Sequence, residues 1–315
     1  LKNENVNIVF NENYKSTSMY DSFKLGLKEI YNKCDAVVFL PGDVGFTSKY
    51  TVDLLIKEII KNEKKIIYPI YKNEIGHPPI ISSKCFEYLL NYDGNEGLKG
   101  GMKHFYQESM KISTPDKFIL FDMDYKEDFN KVKNSYENRE YLSFEEALYL
   151  LNYFDVPTNV VRHSEMVEKI AVDLSEIINK YKKCIDVNLI KSAALLHDIK
   201  RLEKDHAKKG AKLLSDLGYK KISSFVKNHM ELKAQMEDEI NEASILYFAD
   251  KLVIEDQFTS IEKRFEEKLK KYDLDDVIKK NIRKRYNTTL KIKSNIISII
   301  GEVEYEKLEE KWRAK

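Results

Sequence analysis

The sequence predicts an α/β domain with a mainly parallel sheet, followed by an all-helical domain, and three observations carry that reading. Over residues 1–138, short β-rich runs alternate with stretches of helical periodicity, the pattern of βα units. Over residues 139–315, apolar positions recur at helical spacing throughout. Between the two, Lys131 to Arg139 turns polar, as a domain boundary does.

The chain has 315 residues, which suits two domains. Its 43% apolar residues supply ample core material. Lys and Arg number 53 against 52 Asp and Glu, so no overall field favours nucleic acid or an anionic membrane. Cys34, Cys85 and Cys184 are odd in number and widely spaced. That fits a reducing, cytoplasmic setting and not a disulfide framework. No apolar run approaches the roughly 20 residues that span a bilayer. The start, Leu1-Lys2-Asn3-Glu4, is no signal peptide and lacks an initiator Met, so the sequence is expected to begin inside a longer protein.

In order, Asn7-Ile8-Val9-Phe10 reads as a strand, and Met19 to Tyr31 as a helix with Phe23, Leu27 and Ile30 inward. Ala36 to Leu40 is a continuous apolar run of buried-strand type, halted at Pro41-Gly42-Asp43. A helix begins near Thr47 or Ser48 and turns Val52, Leu55, Ile56 and Ile59 inward. Lys65 to Ile70 is another strand, followed by Gly76-His77-Pro78-Pro79-Ile80-Ile81. Phe118 to Phe121 is the last strand and runs into Asp122-Met123-Asp124. Asp43 and the pair Asp122/Asp124 thus follow the carboxyl ends of strands, the edge where open α/β sheets bind ligands. Carboxylates there commonly hold Mg²⁺ against nucleotide phosphates. The alternative, equally open on spacing alone, is a turn residue at Asp43 and a helix cap at Asp122 or Asp124.

The succession Leu40-Pro41-Gly42-Asp43, Gly76-His77-Pro78 and Asp122-Met123-Asp124-Tyr125-Lys126-Glu127-Asp128 resembles the MobA-like nucleotidyltransferases, molybdenum-cofactor cytidylyltransferases in particular. Ser16-Thr17-Ser18-Met19 resembles that family's serine-rich turn. The similarity covers roughly residues 5–135 and implies a Rossmann-like sheet. It implies Mg²⁺ at Asp43, an acceptor site lined by His77, a metal site closed by Asp122 and Asp124, and a molybdopterin-type acceptor. Two features depart from the family. Its amino-terminal glycine-rich phosphate loop has no counterpart here, and Tyr125-Lys126 stand where it has Thr-Pro.

In the second half, Ser143 with Glu146 forms a capping-box signature ahead of a helix that ends at Asp155-Val156-Pro157. Val160 to Tyr181 is amphipathic, with His163 opening its core stripe. Leu189 to Lys200 is an apolar, small-residue helix ending in His197-Asp198. A buried helix ending in two metal-competent side chains is costly without a ligand. His206 opens the next helix, His229 closes the pattern from Ile222, and Asp250 is the lone acid in Ile245 to Leu252. Residues 261–315 read as the lysine- and glutamate-rich outer helices of the bundle. Taken singly, each histidine is more often a satisfied core residue than a ligand. Jointly, four of the chain's six histidines fall in this window near core-facing positions. His and carboxylate donors suit Fe, Mn, Co, Ni or Zn.

The order His163…His197-Asp198…His206…His229…Asp250 resembles the HD-domain metal-dependent phosphohydrolases over roughly residues 158–260. The resemblance implies His163, His197, Asp198 and Asp250 as metal ligands. It is also similar to dinuclear subfamilies, such as the bacterial hydrolases of diadenosine tetraphosphate. In those terms Asp198 bridges two ions, and His206 and His229 hold the second. The implied reaction is attack of a metal-activated water on phosphorus of a nucleotide or related phosphoester. Asp198 would accept the water's proton, and Lys200 or Arg201 would meet phosphate, a solvated surface being the bland alternative for those two. A different class of function fits the same residues: a metal-stabilised sensor or scaffold that binds nucleotides without turning them over. Nucleic-acid binding through Lys279 to Lys293 is weaker, since Ile282, Leu290 and Ile292 intersperse the charges as on an ordinary solvated helix face.

Overall fold

The computed structural model describes residues 6–232, 239–272 and 275–314, and the chain divides into two units, residues 1–133 and 134–315. In the first, α1 (Met19–Ile30) starts at a capping box in which Ser18 and Asp21 satisfy each other's backbone N–H groups. Next come β1 (Ala36–Val38) and α2 (Lys49–Asn62), the latter capped by Ser48. The hairpin β2 (Ile66–Tyr71) and β3 (Glu74–Ile75) leads into β4 (Ile80–Ser82). Helices α3 (Phe86–Asn91) and α4 (Gly97–Lys103) then precede β5 (Ser109–Ser113), and α5 (Lys126–Glu137) follows.

The sheet runs β1-β4-β2-β3, with β5 also on β2. It is mixed where a mainly parallel sheet was expected. β5 lies parallel to β2, while β4 is antiparallel to both β1 and β2, and β3 is antiparallel to β2. The connections explain this. β1 and β2 are joined through α2 and share one direction, as a crossover connection requires, and after β4 the helices α3 and α4 bring the chain back to lay β5 parallel to β2. β3 and β4 follow β2 through connections too short for a crossover, so they turn back on it. Successive isoleucines on β2 and β4 point to opposite faces. Ile66 and Ile81 join Tyr20, Phe23, Leu27, Phe86 and Leu89 on one side. Ile67 and Ile80 join Leu55 and Ile59 of α2 on the other. Sheet and helices thus form three layers.

Two expected strands are not strands. Residues 7–10 are irregular, and Ile8, Val9 and Phe10 are exposed. An apolar run with no ladder partner among the described residues has nothing to pair its backbone with. Lys117 to Leu120 forms a 3₁₀ turn, because the buried Asp116 carboxylate accepts the Phe118 N–H at 3.1 Å and bends the chain. Asp116 also accepts from Ser48 N at 2.6 Å and Thr51 Oγ1 at 2.9 Å, which ties this turn to the start of α2. The turn meets Gly76 closely: a Cβ there would lie 2.3 Å from the Ile119 carbonyl oxygen, so only glycine fits. The next residue, His77, donates its N–H to that same oxygen at 2.8 Å.

The second unit is helical: α6 (Phe144–Tyr153), α7 (Thr158–Tyr181), α8 (Val187–Leu196), α9 (His206–Asp216), α10 (Lys220–Asn228) and α11 (Glu242–Lys251). A minimal ribbon of β6 (Val253–Ile254) and β7 (Gln257–Phe258) follows. It leads to α12 (Ile261–Lys271), α13 (Asp276–Ile300) and α14 (Glu302–Arg313). The Ser143–Glu146 capping box forms. Ala193, Ala194, Leu195 and Leu196 of α8 are fully buried, as are Ile170 and Leu174 of α7. The small residues let α8 sit at the centre of the bundle. Trp312 docks α14 by donating Nε1–H to Asp173 of α7 at 3.0 Å. Among the described residues, no helix is long and apolar enough to cross a membrane.

Candidate functional site

α8 was expected to continue to Lys200, but it stops at Leu196 and the chain tightens into i→i+3 turns, with Ile199 N on Leu196 O and Arg201 N on Asp198 O. The His197 ring folds back onto the Ala194 carbonyl through Nδ1 at 2.7 Å. His229, just past α10, does the same to the Val226 carbonyl at 2.7 Å. Carbonyls at helix ends are short of intrahelical partners, and each of these two imidazoles donates to one of them. On α7, His163 sets its Nδ1 2.7 Å from the Glu255 carbonyl. A carbonyl only accepts, so Nδ1 carries the hydrogen in all three rings. In a neutral imidazole each Nε2 then presents a lone pair.

Those lone pairs converge on Asp198, which is 1% exposed. Its Oδ2 lies 3.5 Å from His197 Nε2 and 4.0 Å from His163 Nε2. Its Oδ1 lies 3.3 Å from His206 Nε2 and 3.4 Å from His229 Nε2. Asp250 Oδ1 adds a second carboxylate, 3.2 Å from His163 Nε2 and 3.8 Å from His197 Nε2. Two sets of ligand-type atoms each gather within 4.8 Å: His163, His197 and Asp198, and Asp198, His206 and His229. Among the described residues, His197 Nε2, Asp198 Oδ1 and His229 Nε2 are buried with no hydrogen-bond partner. Lone pairs facing carboxylate oxygens in a buried site repel unless a cation lies between them, so this donor set fits one or two divalent metal ions.

The electrostatics agree. Burial pushes the fully buried His197 down to about 4, against the pull of Asp198, so its ring is neutral and ready to ligate. Burial alone would raise Asp198 and Asp250. At Asp250 the Lys251 ammonium outweighs it and holds the carboxyl well below the usual range. Lys251, itself buried, pairs with Asp250 and reaches the His229 carbonyl at 3.4 Å. Arg264 of α12 steadies the same region by donating Nη1–H to the carbonyls of Asp250 and Val253.

Of the two cations after the His-Asp pair, Arg201 sets Nη1 3.4 Å from Asp198 Oδ2 and lines the cavity beside the cluster. Lys200 pairs instead with Glu203 at 3.0 Å and is not among that cavity's lining residues. The cavity measures about 440 Å³, and its lining beyond the cluster includes the cations Arg264, Lys268 and Lys271 of α12 and Arg285 of α13. The sequence reading missed these by taking α12 and α13 for outer helices. Their signal was the spacing of 264, 268 and 271 on one helical face beside Phe265.

In the first unit, Asp43, His77 and Asp122 line one cavity of about 690 Å³, together with Lys99, Lys103 and Lys111. Asp43 Oδ1 and His77 Nδ1 are buried there without a hydrogen-bond partner among the described residues. Burial pushes His77 down, opposed by the charges of Asp43 and Asp122. Asp124 is not among the lining residues.

Family models match the chain in two places: a MobA-like NTP transferase domain over residues 1–111, and an HD domain over residues 160–254. No curated protein matches it. Asp122 and Asp124 lie beyond the first match, and Arg264, Lys268 and Arg285 lie beyond the second. The chain is a fusion of a MobA-like NTP transferase domain with an HD domain that follows it.

Proposed function

We propose that the helical unit is a metal-dependent phosphohydrolase acting on a nucleotide or related phosphoester. The observation that carries this reading is the cluster around Asp198: among the described residues His197 Nε2, His229 Nε2 and Asp198 Oδ1 are buried without a hydrogen-bond partner, and backbone carbonyls hold the Nδ1 atoms of His197 and His229. His163, His197, Asp198 and Asp250 would hold one ion, and Asp198, His206 and His229 a second. A bound Fe, Mn, Co, Ni or Zn ion would supply Lewis acidity, making a water nucleophilic near neutral pH and offsetting charge on phosphoryl oxygens. Asp198 would accept the proton that the water gives up, and Arg201 would meet a phosphate oxygen. Lys251 keeps Asp250 ionised and oriented. Arg264, through the Asp250 carbonyl, fixes the backbone that carries it.

For the first unit, we infer a Mg²⁺-nucleotide site in the cavity of Asp43, His77 and Asp122, with the acceptor, a molybdopterin-type molecule on the family resemblance, against His77. The unpartnered Asp43 Oδ1 supports it. Asp124 belongs to this reading only through the sequence motif.

The test is hydrolysis of a panel of nucleotides and phosphoesters by metal-loaded protein, wild type and His197→Ala. Turnover by the wild type, lost in a variant that still folds, is the expected result. No turnover of any substrate by the wild type sinks the enzymatic reading and leaves a metal-stabilised binding module.

A further inference from the structure

The basic lining of the cavity beside the histidine–aspartate cluster is larger than the cluster requires. Asp250 is already paired with Lys251, and Asp198 already has Arg201 beside it. Arg264, Lys268 and Arg285 nevertheless line the same cavity, and Lys271 stands with them. Among the described residues none of these four forms an ion pair with a carboxylate. The acids of the cavity beyond the cluster are Glu255 and Glu267, and both are exposed. Arg264 and Lys268 are half-buried, and the Nε of Arg264 is buried without a hydrogen-bond partner. Like charges crowded into a partly desolvated cavity repel one another, so the arrangement is unfavourable unless an anion lies among them. Burial and the neighbouring Arg264, Lys251 and Arg285 push Lys268 down to about 7, against the pull of Asp250.

We propose that α12 and α13 form a second anion subsite, in which the Arg264 guanidinium, Lys268 and Arg285 hold a phosphate of the substrate other than the one at the metal cluster. The site then selects molecules carrying at least two phosphoryl groups over simple monoesters. This deepens the phosphohydrolase reading and rests on it for the identity of the cluster. Guanidinium groups suit the task because they present several donors in a fixed fork to phosphate oxygens. Lysine adds a mobile point charge. The subsite lies outside the stretch that matches the HD domain, so selectivity for a longer anion is a property of this chain's following helices.

The experiment is calorimetric titration of the full, metal-loaded chain with inorganic tripolyphosphate and, separately, orthophosphate. Wild type, Lys268→Gln, Arg285→Gln and Arg285→Lys are compared, with metal content measured on each as the check on folding. The preference of the wild type for tripolyphosphate should fall by roughly tenfold or more in each Gln variant, the range for a lost hydrogen bond to a charged group. Arg285→Lys should recover part of it. An unchanged preference in both Gln variants, with metal retained, overturns the subsite. Failure of the wild type to hydrolyse anything would remove the phosphohydrolase reading but not this measurement, so the two can fail separately.

Discussion

His229 Nε2 stands 3.4 Å from Asp198 Oδ1 while its Nδ1 is fixed 2.7 Å from the Val226 carbonyl, so two acceptor atoms face each other in a buried site. His197 repeats the relationship on the other carboxylate oxygen, 3.5 Å away, with its Nδ1 on Ala194. The carboxylate of Asp198 is therefore divided between two pairs of imidazoles. That division gives the two halves of the cluster different sensitivities.

His206→Ala removes a donor from one half only. Protein prepared without chelator should carry near two metal ions per chain in the wild type and near one in this variant. Asp198→Ala, which strips both halves, should carry close to none. Elemental analysis reads the counts, and equal metal in wild type and His206→Ala would exclude the divided arrangement.

Chelation should destabilise the helical unit, because it leaves the facing lone pairs without a cation. At free metal about a thousandfold above Kd, linkage contributes roughly 4 kcal/mol. At ~2–4 °C per kcal/mol for a unit of this size, the melting transition should move by about 10 °C. Scanning calorimetry with chelator and with added Mn²⁺ measures it, and coincident transitions would show that nothing binds there.

The helical cluster was legible because its side chains are rare residue types set at helix ends and on core-facing stripes, and neither feature needs tertiary information. The end of α8 was less so. Periodicity carried the helix to Lys200, whereas the His197 ring claims the Ala194 carbonyl and the backbone tightens after Leu196. In the first unit, Phe118 to Phe121 has a strand's composition, but one buried acid, Asp116, three positions past the end of β5, turns it into a 3₁₀ helix. The mixed sheet follows from short connections around β3 and β4, which apolar runs alone do not reveal. The α12 cations escaped because a basic face looks solvated until something packs against it.

Asp116 should be the stability hinge of the first unit. Its carboxylate accepts from Ser48 N, Thr51 Oγ1 and Phe118 N, joining α2 to the turn that sets Ile119 against His77. Asp116→Ala leaves those buried donors unsatisfied and should cost about 3 kcal/mol. Denaturant titration followed by fluorescence or circular dichroism should show it, with the metal content of the helical unit unchanged. A loss under about 0.5 kcal/mol, the size of an ordinary surface change, would deny the hinge role.

Lys268 makes the helical unit's response to pH unusual in sign. Its folded value, about 7, lies below the ordinary lysine value because of burial and the facing cations Arg264, Lys251 and Arg285, with Asp250 pulling the other way. Between about pH 7 and the ordinary lysine range near 10, the unfolded chain keeps a proton that the folded chain has lost. Stability from this group therefore rises with pH across that window, and below pH 7 the crowded cation is fully penalised. Anion binding has the opposite dependence, since only protonated Lys268 attracts phosphate. Lys268→Met should melt higher than wild type at pH 6, and the gap should narrow by pH 9. Tripolyphosphate affinity should fall from pH 6 to pH 8 in the wild type and vary less in Lys268→Met. Parallel melting curves for the two proteins across this range would mean that Lys268 keeps an ordinary charge and that the lining is not crowded.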